Sequence, residues 1–272
     1  MALLNLNFTF SPQGQNDFMQ DWMLVREQYL AEVLETSAPS DSPTSPKCSR
    51  CHADALYRCE DCHFCPAYCA ECCRTAHEIA PWHRVGRWQG TFFRRDMRWQ
   101  QHVELNLHFG HGGGMCPVYM TGDAVRPGGG DEPWTDDEDG DEEGLGAAGL
   151  STGLPPEDLK VTKITDSWDN PVLTVVHTNG IHFIQAKFCQ CSTRRPQDRQ
   201  VLAAGLYPAS QRQVRTVFTN HVLNDCLMSR LECKATTSNF FTKLRRQTSQ
   251  AFPSMVPVCR YTGLRCLDIY IR

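Results

Sequence analysis

The stretch CSRCHADALYRCEDCHFCPAYCAECCRTAHEIAPWH, residues 48–83, decides the fold of this chain. It holds three Cys-x-x-Cys pairs followed by His77 and His83. Such a pair supplies two thiolates from one tight turn, and structural zinc takes four nitrogen or sulfur ligands in a tetrahedron. The stretch therefore offers the eight ligands that two zinc ions need. Because Cys and His fill all four positions, none is left for water, which indicates structural rather than catalytic metal.

This spacing resembles B-box-type zinc fingers, whose ligands interleave along the chain. The resemblance implies that the first and third Cys pairs share one ion, while the second pair and the two histidines share the other. The first set is Cys48, Cys51, Cys69 and Cys72, and the second set is Cys59, Cys62, His77 and His83. Four neighbouring side chains could replace one of these ligands: His52, His63, Cys65 and Cys73. The alternative is a set of buried thiols without metal, which explains three such pairs poorly in a reducing compartment.

The cysteine content also bears on the compartment. The chain has 15 cysteines, and its N-terminus, MALLNLNFTFSPQGQND, lacks the basic start, apolar stretch and cleavage site of a secretory signal. We therefore expect an intracellular protein that is not secreted, in which thiols stay reduced and closely spaced cysteines bind metal. No apolar run approaches the roughly 18–20 residues that cross a bilayer, so we expect no membrane segment.

A β-hairpin is predicted in the second half of the chain. The runs VLTVVHT (172–178) and IHFIQAKFC (181–189) are rich in β-branched residues and flank an Asn179-Gly180 pair. An Asn-Gly pair between two such runs favours a tight turn with positive φ at both central residues.

A third zinc site is predicted from two distant segments. Cys189 and Cys191, in FCQC at the end of the hairpin, lie two residues apart on a strand and therefore point to one face. The nearest suitable partners are His111 and Cys116 in GHGGGMC, where glycines let the backbone wrap round an ion. Taken alone, a Cys-x-Cys pair is also consistent with two buried thiols in a core strand.

The remaining elements predict an α+β fold of small zinc-stabilised modules, with a β-hairpin, short helices and long disordered segments. Apolar residues at steps of three and four predict an amphipathic helix over residues 17–35. Further helices are expected at 198–206, 221–231 and 239–250, with 216–219 extended. Residues 1–16 and the Gly-rich acidic insert at 120–157 are expected to be disordered, and 37–46 is a Ser/Pro linker. The predicted domains are an N-terminal helix and linker (1–47), a double zinc finger (48–88), a cysteine-cluster domain (89–250) and a tail (251–272).

Charge is unevenly distributed along the chain. The net charge is −4, but residues 131–143 hold nine acidic residues and no Lys or Arg, so the rest is mildly basic. A basic surface is compatible with nucleic acid but does not require it, because arginines are also ordinary solvated side chains. The candidate phosphate contacts are Arg94, Arg95, Arg98, Arg194, Arg195 and Arg245.

The order of the motifs closely resembles the Cys-x-Cys-type cysteine-cluster region that precedes the catalytic domain in KDZ transposases of fungi. The motifs lie between residues 18 and 250 and are W-x3-R-x2-YL-x-E (22–32), YRCEDC (57–62), CAEC (69–72), PWH (81–83), RWQGTFF (87–93), GHGGGMCP (110–117), NGIHFIQAKFCQC (179–191), VLAAGLYPAS (201–210), RTVFT (215–219) and KATTSNFFTKLRRQT (234–248). The resemblance implies a zinc-chelating region attached to a DNA transposase. We expect a nuclear location for the chain. It also implies that His111, Cys116, Cys189 and Cys191 form one zinc site. Residues 96–109, the acidic insert and the end of the chain depart from the pattern.

We therefore expect a non-catalytic zinc-binding module that binds DNA or another protein and has no small-molecule substrate. One alternative is a ubiquitin-ligase component, although no RING-like pattern precedes residue 48 and no coiled-coil heptads follow the finger. Another is the N-terminal fragment of an active transposase. Two-metal chemistry needs carboxylates held in a shaped pocket, whereas the carboxylates here are concentrated in a Gly-rich run. A transposon relic without a cellular role is the remaining alternative.

Overall fold

The structure is a computed structural model that describes residues 15–37, 46–120, 172–211 and 214–256. The predictions made above for residues 1–14, 38–45, 121–157 and 257–272 lie outside these ranges. The described ranges form helices and two sheets, so the predicted α+β class is confirmed. None of the described helices combines the length and apolar character that crossing a bilayer requires.

The Cys-rich stretch and the residues that directly follow it build a small antiparallel sheet. Its strands occur in the order β2-β1-β3-β4. They are β1 (Tyr57–Cys59), β2 (Ala67–Tyr68), β3 (Val85–Trp88) and β4 (Phe93–Arg95). A short helix, α2 (Ala70–His77), follows β2 and carries Cys72 in its first turn and His77 at its end. Because β4 pairs with β3, the sheet continues beyond residue 88, where the sequence placed the end of the finger.

A five-stranded mixed sheet is built from strands between residues 106 and 219, with strand order β5-β7-β6-β9-β8. The strands are β5 (Asn106–Phe109), β6 (Val172–His177), β7 (Gly180–Phe188), β8 (Leu206–Pro208) and β9 (Thr216–Thr219). The remaining helices are α1 (Gln15–Ser37), α3 (Trp99–His102), α4 (Pro117–Met120), α5 (Gln197–Ala203), α6 (Asn220–Cys233) and α7 (Thr237–Thr248). The sequence placed a helix over 198–206, but it ends at Ala203. Gly205, with φ +77°, turns the chain into β8.

The predicted hairpin is confirmed as the antiparallel pair β6–β7, but its turn differs from the expected one. His177 pairs with Gly180, so Thr178 and Asn179 are the central residues, and Asn179 does not have positive φ. Gly180 itself has φ +138°, and a Cβ there would lie 2.9 Å from Oγ1 of Thr248. This glycine is therefore required by the close approach of α7 rather than by the turn.

One hydrophobic cluster runs through both sheets. It includes Cys59 and Val85 from the small sheet and Val175 and Val217 from the large one. Trp99, which is 1% exposed, packs in the same cluster and donates from Nε1 to the carbonyl oxygen of His83. The finger and the large sheet therefore share a core instead of packing as independent modules.

Helices α6 and α7 cover the large sheet through a separate cluster. Phe218, Leu223, Phe240 and Leu244 are buried in it, and so is the thiol of Cys226. Both helices begin at a threonine N-cap, because Thr219 Oγ1 accepts from the N–H of Val222 and Thr236 Oγ1 accepts from that of Asn239. A side-chain cap of this type stabilises a helix by about 1 kcal/mol.

We expect Gly180→Ala to lower the free energy of unfolding by about 3 kcal/mol, because a strained backbone adds to the clash with Thr248. Gly205→Ala is the matched control: it also has positive φ, but a Cβ there meets no atom within 4 Å, so we expect a decrease of about 1 kcal/mol. Urea denaturation of the two variants measures the difference. Equal decreases would show that the approach of α7 to Gly180 is not a constraint.

Candidate metal centres

The structure brings the twelve sequence-predicted ligands together in three groups of four. Within each group, one donor atom from every residue lies within 4.8 Å of the others. The groups are Cys48, Cys51, Cys69 and Cys72; Cys59, Cys62, His77 and His83; and His111, Cys116, Cys189 and Cys191. Each group could hold a metal ion, and each joins segments that are distant along the chain.

The first group is built by a tight turn and the start of a helix. Cys48 and Cys51 flank a turn that the N–H of His52 closes onto the Cys48 carbonyl at 2.9 Å, with His52 in the left-handed region at φ 61°. Cys69 immediately precedes α2, so its thiol and that of Cys72 face the turn. Sγ of Cys51 lies 3.6 Å from Sγ of Cys69.

The second group lies between β1, α2 and the segment before β3. Sγ of Cys62 lies 3.5 Å from Nε2 of His77 and 3.3 Å from Nδ1 of His83, and Sγ of Cys59 lies 3.5 Å from the same Nδ1. The other ring nitrogen of His77, Nδ1, lies 2.7 Å from the carbonyl oxygen of Cys73. Nδ1 therefore donates to this carbonyl, which fixes the tautomer and leaves the Nε2 lone pair for a metal.

An ion pair holds the loop of the second group in place. The Arg84 guanidinium donates from Nη2 to Oδ1 of Asp61 at 2.6 Å, and its backbone N–H donates to Oδ2 of the same carboxylate at 2.6 Å. Burial opposes ionisation of Asp61, but the hydrogen bonds from Arg84 outweigh it and lower the pKa of the carboxyl. The Cys-x-x-Cys loop is thus attached to the residue that follows His83.

The third group depends on a parallel pairing at the edge of the large sheet. β5 pairs with β7 so that Phe109 lies opposite Phe188. Because the two strands run parallel and both end there, the residues that follow Phe109 and Phe188 lie next to each other. Nε2 of His111 lies 3.3 Å from Sγ of Cys189 and 3.5 Å from Sγ of Cys191. The thiol of Cys116 lies 3.7 Å from that of Cys191.

Two neighbours fix the geometry of the third group, and one of them carries no recognisable sequence signal. Gly110, with φ +91°, passes so close to Cys189 that a Cβ there would lie 2.8 Å from the Cys189 Cβ. Gln200, buried in α5, accepts from the N–H of Cys189 at 2.8 Å and donates to the carbonyl of Arg195 at 2.7 Å. A lone Gln in a helix has no pattern that marks it as a support for a metal site.

The ligand thiols differ in pKa: in some it is lowered from the usual value, and in others it is raised. Burial opposes ionisation of Cys48, but backbone hydrogen bonds from Cys51, Cys69 and Arg50 outweigh it and lower its pKa to about 6. Burial likewise opposes ionisation of Cys116, but hydrogen bonds from the backbone of Gln190 and Val118 lower its pKa to about 6.

In the neighbouring thiols of Cys72 and Cys191 the pKa is raised instead. The hydrogen bond with Cys69 and partial desolvation raise the pKa of Cys72 to about 12, and hydrogen bonds with Cys116 and Cys189 raise the pKa of Cys191 to about 11. A second negative charge next to the first thiolate is costly in this arrangement. A bound cation removes that cost, because it favours the deprotonated form of every ligand.

The four alternative ligands named from the sequence lie outside the three groups. Sγ of Cys65 lies 3.7 Å from the carbonyl oxygen of Glu60. Cys73 is fully buried on α2, and its Sγ lies 3.8 Å from Nδ1 of His77. His52 and His63 are exposed.

The described residues thus combine a small α+β fold with three Cys/His tetrads. Residues 149–251 match the family described as "CxC2 like cysteine cluster associated with KDZ transposases". These residues are thus similar to that family, and the resemblance seen in the sequence is confirmed for this range. The matched range includes Cys189 and Cys191, whereas the Cys-rich stretch at 48–83 lies outside it. No curated protein and no solved structure matches the chain.

We expect Gln200→Ala to lower the free energy of unfolding by about 2 kcal/mol, because it leaves the buried N–H of Cys189 without its acceptor. Hydrogen exchange of the Cys189 amide should become faster, and exchange within the finger should stay unchanged. Gln89→Ala, at an exposed position, is the control for removal of a glutamine side chain. An unchanged Cys189 exchange rate would contradict the role assigned to Gln200.

Proposed function

We propose that this chain is a non-catalytic zinc-binding module in which three zinc ions hold the surface of an interaction domain in shape. The observation that supports it is the grouping of twelve Cys and His donors into three separate sets of four. Each set draws on segments that are distant from one another along the chain. Metal binding at such places contributes directly to folding.

The donor chemistry favours zinc over other common ions. The first group has four thiols, the second has two thiols and two imidazoles, and the third has three thiols and one imidazole. All three combinations are established ligand sets of structural zinc sites. Calcium and magnesium take oxygen ligands instead, and the three groups contain no carboxylate.

The same sets favour a structural over a catalytic role. A catalytic zinc site keeps three protein ligands and leaves a fourth position for water or substrate. Here each group supplies four protein ligands, so a tetrahedral ion would be fully enclosed. We therefore propose interaction with a macromolecule rather than catalysis, with a protein as the preferred partner class.

DNA is the second candidate, because the matched family is associated with transposases and three of the predicted arginines are exposed: Arg94, Arg194 and Arg195. Arg95 does not fit the role that the sequence suggested. It donates to the backbone carbonyls of Gln247 and Asn179 and is largely buried, and that burial lowers the pKa of its guanidinium. Arg95 is therefore a structural residue.

We expect the purified chain to carry three zinc ions, measured by elemental analysis together with native mass spectrometry. Cys189→Ser should release one ion and leave two, because the third group shares no ligand with the other groups. Cys233→Ser, at an exposed cysteine outside all groups, should keep three. About one ion or none in the unaltered chain, or release of all three from Cys189→Ser, would contradict the ligand sets.

We expect weak, salt-sensitive binding to duplex DNA that tightens when residues 131–143 are deleted, since this acidic segment and DNA compete for the same arginines. Arg194→Gln with Arg195→Gln should reduce the slope of log affinity against log salt by about 0.9 for each phosphate that is no longer neutralised. Arg26→Gln is the control: it also removes one positive charge, but on α1, and it should leave the slope unchanged. If the deletion variant binds no duplex DNA even at about 50 mM salt, the DNA candidate is wrong and the protein partner stands alone.

A further inference from the structure

Helix α1 presents a large apolar surface to solvent. It spans 23 residues, and nine of its large apolar side chains are half or more exposed. They are Phe18, Met19, Trp22, Met23, Leu24, Tyr29, Leu30, Val33 and Leu34. An isolated helix is only marginally stable in water, and an exposed apolar patch of this size is typical of an interaction site.

These side chains form one continuous face. At about 100° per residue, Phe18, Trp22, Tyr29 and Val33 follow one line along the helix, together with the half-buried Val25. Met19, Met23, Leu30 and Leu34 follow the adjacent line. The two lines together cover about half of the circumference, with only Leu24 lying apart from them. A face of this width fits a groove rather than a flat surface.

The charge distribution on α1 limits the classes of partner that the helix fits. The helix has five acidic residues and one basic residue, Arg26. Asp17, Asp21, Glu32 and Glu35 fall within about 60° of one another on the helical wheel, which places them along one edge of the apolar face. Helices that lie on membranes carry Lys and Arg on the polar face, so an anionic membrane does not fit this pattern. Nucleic acid does not fit an acidic edge either.

A second copy of α1 also fits poorly. Arg26 lies at the midpoint of the helix and in the middle of its apolar face, where it donates from Nε to Oε1 of Glu27 at 2.9 Å. In a parallel in-register pair, or in an antiparallel pair with full overlap, Arg26 would meet the same residue of the other copy. Two like charges at the centre of an apolar contact oppose that pairing.

We propose that α1 docks its apolar face into an apolar groove of a different protein whose rim carries Lys or Arg along the acidic edge of the helix. This is the helix-in-groove mode of recognition, with residues one turn apart as anchors. The proposal rests on the interaction role proposed above but not on the metal content.

The test uses the full chain and two designed peptides, each a helical hairpin with the same leucine-lined groove, one edged with lysine and the other with glutamate. We expect binding of the lysine-edged peptide, followed by the fluorescence of the mixture and by calorimetry. Replacing the four edge acids (D17N, D21N, E32Q and E35Q) should weaken binding about tenfold. Trp22→Ala with Tyr29→Ala should weaken it by about tenfold or more although all charges remain.

Ile79→Ala is the matched control, because Ile79 is 95% exposed but lies outside α1, and it should leave binding unchanged. Zinc content is measured in every variant, so that a failure of this proposal is distinguishable from a failure of the metal sites. Equal binding of both peptides, or no effect of the Trp22 and Tyr29 changes, would overturn the proposal. So would sedimentation as a dimer that those two changes convert to a monomer, because the occupant would then be a second copy.

Discussion

The crowding of four Cys and His donors at each of three points is the constraint on which the rest of this fold depends. Thiols that lie 3.6–4.0 Å apart cannot all ionise unless a cation shares their charge. Each tetrad also joins segments far apart in sequence, as when His111 meets Cys191. A cation bound at each tetrad would keep in register the short strands of two to four residues around it, which are marginal alone.

The finger and the cysteine cluster are coupled through the turn of the hairpin. Asn179 donates from Nδ2 to Oδ2 of Asp61 at 3.1 Å and to the carbonyl of Trp82 at 2.7 Å, and its Oδ1 lies 2.9 Å from Nε2 of His182. Asp61 lies between the ligands Cys59 and Cys62, so the turn touches the loop of the second group directly. The hairpin and the Cys-rich stretch at 48–83 thus form one structural unit, although the sequence suggests successive modules.

The sequence predicted features that depend on residues close together along the chain. It missed those that depend on residues far apart along it. Cys-x-x-Cys turns and the β6–β7 hairpin are local, and the two resemblances supplied the order in which distant ligands meet. The parallel pairing of β5 with β7 joins segments on either side of the acidic insert, and no local pattern encodes it. The role of Gly180 was misread for the same reason, because the helix that forbids a side chain there lies far along the chain, at Thr248.

The hydrophobic core is divided into a cluster that contacts the tetrads and a cluster that does not. The cluster that spans both sheets includes or contacts five thiols of the first two groups, so its packing and any bound metal support each other. The cluster under α6 and α7 contains no residue of any group and is held by Phe218, Phe240 and Leu244 with its two threonine caps. Metal bound at the tetrads would therefore support the first cluster, whereas apolar burial alone stabilises the second. If a tetrahedral ion binds at each tetrad, the short segments that carry the donors can vary only within that geometry, whereas α6, α7 and the exposed α1 do not have that restriction.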